Sequence, residues 1–155
     1  MKLTVSDLLL KNKLDDHYNY FDRTKISPDP LEFPHRFTNP QDIEISAFIS
    51  SLFAYGNVKQ INNTLQKIHS IMEWMPYKFV CEYSANNNNV YYKNVYHRFY
   101  SSEDIHNLFV GMNRLLKSYS SIRGLFYSTI DNEFNLQKSI GLFSNKMIEL
   151  CSSNK

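Results

Sequence analysis

The sequence predicts an all-α fold, an orthogonal bundle of six or seven helices with no significant sheet. Apolar residues recur at steps of three and four residues along most of the chain. Capping residues, glycine and proline mark the ends of these stretches. A connector over residues 24–40, which holds four of the five prolines, separates the first helix from the rest.

Composition sets the class of protein. A chain of 155 residues with 43% apolar residues can fill one core, so we expect a single helical domain over residues 1–155. The net charge of +2 is small for a nucleic-acid binder. Cys81 and Cys151 lie in apolar helical stretches, and we interpret them as reduced core thiols of a cytoplasmic protein. No apolar run reaches the roughly 18 residues of a membrane helix, so no membrane partner is expected.

The first predicted helix runs from Val5 to Phe21, with Thr4 or Ser6 as its cap. Its apolar stripe consists of Leu9, Leu10, Leu14, Tyr18 and Phe21. Three apolar residues of the connector are expected to pin it onto the helices: Leu31, Phe33 and Phe37.

A second helix is predicted to begin at Asn39 and Pro40, which suit the cap and the first helical position. It is apolar on several sides as far as Tyr55 and should lie at the centre of the fold. Gly56 ends it and Asn57 caps the third helix, so the two residues form a tight helix–helix turn. The third helix has the cleanest apolar period of the chain: Val58, Ile61, Leu65, Ile68, Met72 and Met75.

The second half of the chain predicts shorter elements first and longer helices later. Pro76 starts a short helix, residues 86–89 indicate a surface loop, and residues 90–96 alternate only weakly. A long helix follows Ser101, and a turn at Arg123 leads into another short helix. The last helix, from Asn135 to Cys151, has one apolar face made of Leu136, Ile140, Phe143, Met147 and Leu150.

A short signature occurs twice, 62 residues apart, each time directly before a predicted helix. It consists of His35, Arg36, Phe37, Asp42 and Ile43 in the first copy, and of His97, Arg98, Phe99, Asp104 and Ile105 in the second. In each copy the acid lies three residues after a capping residue, where it can bond back to the cap N–H. Both copies therefore predict the start of a helix.

Three interpretations of this signature stay open. In the first, each arginine forks onto the acid of its own copy and each phenylalanine is a buried plug, which makes a structural latch. In the second, His35, Arg36, His97 and Arg98 meet with Lys59 on one basic surface and bind phosphate or carboxylate. In the third, the two histidines and an acid bind a metal ion, although they lack the close spacing of known zinc motifs. We favour the latch, and expect no metal and no cofactor.

The turn at Gly56 and Asn57 also has two interpretations. A DNA-reading helix-turn-helix would present the polar residues of the third helix to base edges. These residues are Lys59, Gln60, Asn62, Asn63 and Gln66. A solvated face on a core-packed helix has the same composition, and the low net charge favours that second interpretation.

No catalytic residue is predicted. The sequence has no glycine-rich phosphate loop, no serine nucleophile elbow and no paired cysteine motif. His17, His69 and His106 lie on helices without matching partners, so we expect them at the surface or half-buried. This chain alone is therefore not expected to be an enzyme.

Seven segments share their order and spacing with one known family. They are Asp29-Pro30, Pro34-His35-Arg36-Phe37, Asp42-Ile43-Glu44-Ile45, Ala47-Phe48, Ala54-Tyr55-Gly56-Asn57 with Ile61, Pro76-Tyr77-Lys78-Phe79-Val80, and His97-Arg98-Phe99 with Asp104. With these segments the chain, from about Asn12 onward, resembles the uncharacterised bacterial family called domain of unknown function 2400.

The resemblance implies a place within a longer fold. Family members are usually longer, and their C-terminal part is similar, remotely, to the helix-hairpin-helix DNA glycosylase superfamily. Residues 1–155 would then be the N-terminal portion, without the part that holds a catalytic aspartate. Two hypotheses of function follow. One is a nucleic-acid-associated module with a glycosylase-like scaffold. The other is a non-enzymatic or truncated helical protein that acts through a protein partner, such as a second polypeptide supplying the C-terminal segment.

Overall fold

A computed structural model describes residues 4–87, 91–130 and 135–152. Its α-helices are α1 (Val5–Tyr20), α2 (Pro40–Phe53), α3 (Val58–Ile71), α4 (Pro76–Glu82), α5 (Ser102–Tyr119), α6 (Ile122–Ser128) and α7 (Leu136–Cys151). Short 3₁₀ turns cover Arg23–Lys25, Pro30–Glu32, Pro34–Arg36 and Ala85–Asn87. These ranges contain no strand, only an isolated bridge between His97 and Tyr100. The predicted all-α class is confirmed.

The helix starts follow the predicted caps. The side chains of Asn39, Asn57 and Ser101 accept hydrogen bonds from backbone N–H groups in the first turns of α2, α3 and α5. Gly56 has a φ of +123° between α2 and α3, a conformation that favours glycine. The prediction placed the end of α2 slightly late, since the helix stops at Phe53.

The core is built around α2 and α5. Both helices contribute fully buried side chains; α4 packs on both, α3 packs on α2, and α6 and α7 pack on α5. The largest fully buried side chains are Phe33, Ile45, Ile49, Phe53, Leu65, Ile68, Met72, Tyr92, Ile105, Phe109, Met112 and Leu115. Among the described residues no helix is both long and apolar enough to cross a bilayer.

Small and polar side chains set two of the helix contacts. A Cβ added to Gly111 of α5 would lie 3.0 Å from Cys151 Cα, so glycine allows α7 to approach closely. Asn113 donates hydrogen bonds of 2.8 Å to the carbonyls of Val80 and Cys81, which ties α5 to the end of α4. Both contacts cross between helices far apart in sequence, and neither followed from apolar periodicity.

The connector is pinned mainly by one aromatic residue. Phe33 is buried in the core, Phe37 is half-buried, and Leu31 is exposed. Asn62 of α3 also donates a hydrogen bond of 2.6 Å to the carbonyl of Pro28. The expected pinning is therefore correct for Phe33 and wrong for Leu31, which the 3₁₀ turn Pro30–Glu32 leaves on the outside.

Helix α1 forms as predicted, but none of its residues is buried. Its predicted apolar stripe remains exposed along its length. Local bonds hold the helix: Thr4 and Asp7 form a capping box, and Lys11 pairs with Asp15. Periodicity indicated the helix correctly, but it does not indicate whether a neighbouring surface covers the stripe.

One further expectation needs correction. Cys81 is exposed on α4, so it is not a core thiol, whereas Cys151 is half-buried beside Gly111. The weakly alternating segment holds Tyr92 and Val95 as buried anchors of a turn-rich loop, and the ring of Tyr92 stacks on that of Phe109 in α5 at 4.8 Å. Residues 88–89 of the predicted polar loop, and Val90 of the weakly alternating segment after it, lie outside the described residues.

Candidate functional site

The first copy of the signature packs on aromatic rings. Arg36 ends the 3₁₀ turn Pro34–Arg36, and its guanidinium lies 4.6 Å from the ring centre of Phe33 and 5.1 Å from that of Trp74. It donates to Glu32 Oε1 at 2.8 Å and to Gln66 Oε1 at 3.1 Å. The predicted pairing of Arg36 with Asp42 is therefore wrong. A 3₁₀ turn brings residues three or four apart together, and this places Glu32 within reach first.

The sequence did not reveal the buried histidine beneath this copy. His69 of α3 has no exposed surface and stacks between Phe33, at 5.0 Å, and Phe37, at 5.9 Å. Ser46 Oγ lies 2.8 Å from His69 Nε2, and Leu65 O lies 2.8 Å from Nδ1. The prediction that His69 lies at the surface or half-buried is wrong. Its position one residue after Ile68, on the apolar side of α3, was the signal available in the sequence.

Burial determines the charge of this histidine. Loss of hydration lowers the pKa of His69 from 6.5 to about 4, with Arg36 acting in the same direction. The neutral ring therefore donates from Nδ1 to the carbonyl of Leu65 and accepts at Nε2 from the hydroxyl of Ser46. Although Ser46 and His69 form a serine–histidine pair, both are fully buried, so no substrate reaches them. The pair stabilises the contact between α2 and α3.

The second copy forms a tight turn. His97 and Tyr100 exchange backbone hydrogen bonds of 3.1 Å and 2.8 Å, and Arg98 between them has a φ of +53°. His97 is only 5% exposed, with Nδ1 3.1 Å from Thr64 Oγ1 and its ring edge-on to Phe53. The side chain of Phe99 is 81% exposed. The prediction that this phenylalanine is a buried plug is therefore wrong, because in the turn the histidine takes the inward place.

The arginine of the second copy contacts aromatic rings and backbone. Its guanidinium carbon lies 4.6 Å from the ring centre of Tyr55 and 5.6 Å from that of Phe99. A Cβ on Gly56 would lie 2.5 Å from Arg98 Nη1, so the guanidinium rests against the turn between α2 and α3. Asp104, the predicted partner, bonds elsewhere. Neither arginine therefore pairs with the acid of its own copy, as the latch requires.

The two acids of the signature also differ. Asp104 accepts from the N–H and hydroxyl of Ser101 at 2.8 Å and 2.6 Å, which completes a capping box and lowers the pKa of its carboxyl. Asp42 accepts from the N–H of Tyr77 at 2.9 Å and so joins the start of α2 to the start of α4. The bond back to the cap residue was predicted for both acids, and only Asp104 makes it.

Glu44, from the segment Asp42-Ile43-Glu44-Ile45, makes a contact that the sequence did not predict. Glu44 of α2 accepts hydrogen bonds from the backbone N–H of Ile122 and Arg123, at 3.3 Å and 2.8 Å. Its carboxylate therefore stabilises the N-terminal end of α6, 78 residues away. Glu44 lies between Ile43 and Ile45, and a charged residue in an apolar run was the available indication that its carboxylate has a partner in the fold.

The basic candidates are only partly brought together. Lys59 shares a surface hollow with Gly56 and Asn57, and Arg98 rests on Gly56. Arg36 contacts α3 further along, at Gln66, while His35 is exposed. Since His97 is buried, it is not part of that surface. Within the described ranges no group of three histidine, cysteine or acidic side chains is placed to hold a metal ion.

The outward side of α3 is polar and lacks acids. Its exposed polar residues are Lys59, Gln60, Asn63, Gln66, Lys67 and Ser70. The segment 91–98 lies along the same side: Tyr91, Lys93 and Asn94 border a hollow with Gln66, Lys67 and Ser70. Further along, His97 bonds to Thr64 and Arg98 reaches Gly56. We call this surface, residues 55–70 of the outward side with residues 91–99, the α3 face.

A separate apolar groove of about 430 Å³ lies between α2, α5 and α7. Phe48, Leu52 and Leu108 contribute to its walls, and Met147 and Ile148 of α7 close one side. Phe99 and Tyr100 form its border with the α3 face. The predicted apolar face of α7 is only partly covered, since Leu136 and Ile140 are exposed.

Fold and surface together define an all-α helical domain with a polar, acid-poor face and no recognisable catalytic constellation in its described part. The chain belongs to the family described as "Protein of unknown function (DUF2400)", which matches residues 29–155. A search of curated proteins and a search of solved structures found no match.

Proposed function

We propose that this domain associates with nucleic acid through the α3 face. The observation that carries the proposal is the distribution of charge. None of the 15 acidic residues falls within residues 45–72 or 83–102, the two stretches that supply the face. The same stretches contain Lys59, Lys67, Lys93 and Arg98. A net charge of +2 averaged over the chain therefore conceals a local surface of one sign.

The geometry suits a phosphate backbone. Lys59 and Lys67 stand two helical turns apart on the exposed side of α3, and Lys93 borders the same hollow as Lys67. Arg98 rests on Gly56 at the far end, beside the hollow that holds Lys59. Between the cations lie amide side chains, which donate to phosphate and sugar oxygens. Glu32 and Glu73 border the face, and Arg36 is already paired with Glu32.

The salt dependence of binding tests the proposal. Four cations that each displace a counterion give a slope of log affinity against log salt concentration of roughly −3. We expect a fluorescein-labelled 20-mer oligonucleotide to raise its anisotropy with this chain in low salt and to lose the signal as salt increases. No change in anisotropy at low salt would remove the proposal.

A matched pair of variants separates the face from overall charge. The double variant Lys59→Glu/Lys67→Glu changes the face, and Lys13→Glu/Lys146→Glu makes the same change of charge on α1 and α7. We expect the first to reduce affinity at least about tenfold and the second to reduce it less than twofold. Equal losses in both would point to net charge alone and contradict a role for the α3 face.

The apolar groove favours a second candidate, in which the domain acts through a second polypeptide that supplies an apolar segment. Ile148 on its edge is exposed, and so is the whole apolar stripe of α1. The test uses the separately expressed C-terminal part of a longer family member. We expect the two to elute together in size-exclusion chromatography and Ile148→Glu to separate them. Separate elution of the unaltered chains would argue against this candidate.

A further inference from the structure

The α3 face carries flat rings as well as cations. Five exposed aromatic side chains border it: Tyr55, Tyr91, Tyr96, Phe99 and Tyr100. Four of them lie in the single ten-residue segment 91–100, together with Lys93 and Arg98. Isolated exposed aromatics are common on protein surfaces, but a group of this kind marks a surface that binds something.

We infer that the α3 face binds single-stranded nucleic acid in preference to duplex, with unpaired bases stacking on Phe99 and Tyr96. This inference rests on the proposed association with nucleic acid and adds the kind of strand. In a duplex the faces of the bases are covered by their neighbours, so an exposed ring adds little affinity. In a single strand each base has a free face, and stacking on aromatic side chains tolerates any sequence.

The turn His97–Tyr100 holds one ring in place for this purpose. His97 is anchored inward by Thr64 and Phe53, and two backbone bonds close the turn across Arg98 and Phe99. Phe99 is thereby 81% exposed while its backbone stays fixed. An ordered backbone beneath an exposed ring lowers the entropy cost of stacking a base on it.

Arg98 couples the ring to the phosphate contacts. Its guanidinium lies within 5.6 Å of the ring centres of both Tyr55 and Phe99. A cation at that distance is attracted to the ring faces, which keeps it beside the stacking site. A base on Phe99 would then place its own phosphate close to a fixed positive charge. Lys93 and Lys67 lie further along the path that a strand would follow over α3.

The experiment compares strands at one salt concentration. Anisotropy titrations use labelled oligo(dT)20, oligo(U)20 and a 20-base-pair DNA duplex. We expect at least one single strand to bind about tenfold or more tightly than the duplex. Equal or tighter binding of the duplex would overturn the inference while leaving nucleic-acid association intact. No binding of any strand would overturn the association as well.

Variants then test the rings themselves. Phe99→Ala and Tyr96→Ala are each expected to weaken single-strand binding about fivefold or more and to change duplex binding less than twofold. Tyr18→Ala and Tyr127→Ala remove exposed rings on α1 and α6 and serve as controls. A single strand carrying 2-aminopurine should lose fluorescence on binding and recover it in Phe99→Ala. An unchanged signal in Phe99→Ala and Tyr96→Ala would show that the rings do not stack on bases.

Discussion

The two copies of the signature have the same residues and opposite arrangements. In the first copy His35 is exposed and Phe37 is half-buried, whereas in the second His97 is buried and Phe99 is exposed. The first copy lies at the end of a 3₁₀ turn, and its Phe37 packs on the buried ring of His69. The second copy forms a tight turn against α3. The same three side chains thus take different places because the backbone that presents them differs.

The largest expected effect concerns the histidine under the first copy. The pKa of His69 is lowered to about 4, so the native state keeps it neutral while the unfolded chain binds a proton below pH 6.5. The stabilising contribution is therefore complete above pH 6.5 and is lost as the pH falls towards 4, by up to about 3 kcal/mol. Urea unfolding followed by circular dichroism at pH 7, 5.5 and 4 measures this loss.

The second copy should lose its contribution to stability at a lower pH than the first. Hydrogen bonds from Ser101 lower the pKa of Asp104 below 3.8, so its contribution is complete above pH 3.8 and is lost as the pH falls through the folded value. The larger part of the loss between pH 6.5 and 4 thus belongs to His69, and His106, whose pKa burial also lowers from 6.5, contributes the rest. The variant His69→Gln should be less stable at pH 7 and show a flatter profile. The same pH slope in wild type and variant would contradict the assignment.

The next effect compares the two histidines of the signature. His97→Ala removes a buried ring that packs on Phe53 and bonds to Thr64, and we expect a loss of about 2 kcal/mol in the free energy of unfolding. His35→Ala changes an exposed side chain and should stay within about 0.5 kcal/mol. Urea titration of both variants measures the difference, and equal losses would show that the arrangements are alike.

The phenylalanines should rank in the opposite order. Phe37→Ala removes contacts with His69 and Trp74 and is expected to lower the free energy of unfolding by about 1–2 kcal/mol. Phe99→Ala should stay within about 0.5 kcal/mol, because the ring is already in water. Thermal unfolding of the two variants gives the comparison. A large loss for Phe99→Ala would indicate that this ring is covered.

The smallest effect distinguishes the two arginine backbones. Arg98 has a left-handed φ of +53°, so Arg98→Gly should be more stable than Arg98→Ala by about 1 kcal/mol. At Arg36, in a 3₁₀ turn, the order should reverse, with glycine less stable than alanine by about 0.5–1 kcal/mol. Chemical denaturation of the four variants tests the reversal. The same order at both positions would mean that the two backbones do not differ.

Much of the helical layout was readable before the structure. The caps at Asn39, Asn57 and Ser101 and the apolar period of α3 depend on residues close together in sequence, so local rules are sufficient. The site was less readable. The two acid-free stretches are visible in the sequence, but only tertiary contacts, such as those of Arg98 with Gly56 and of His97 with Thr64, show that they share one face. The contacts of His69 with Phe33 and Phe37 join the connector to α3, and only the tertiary structure shows them.

The sequence by itself determined where most helices begin, because capping and periodicity act within a few residues. Tertiary structure alone decided that His97 is buried and Phe99 exposed, and that Arg36 lies over the ring of Trp74. It also left the apolar stripe of α1 exposed among the described residues. The physical reason is that the burial of a side chain depends on which other segments pack against it, and a repeated motif does not specify those segments.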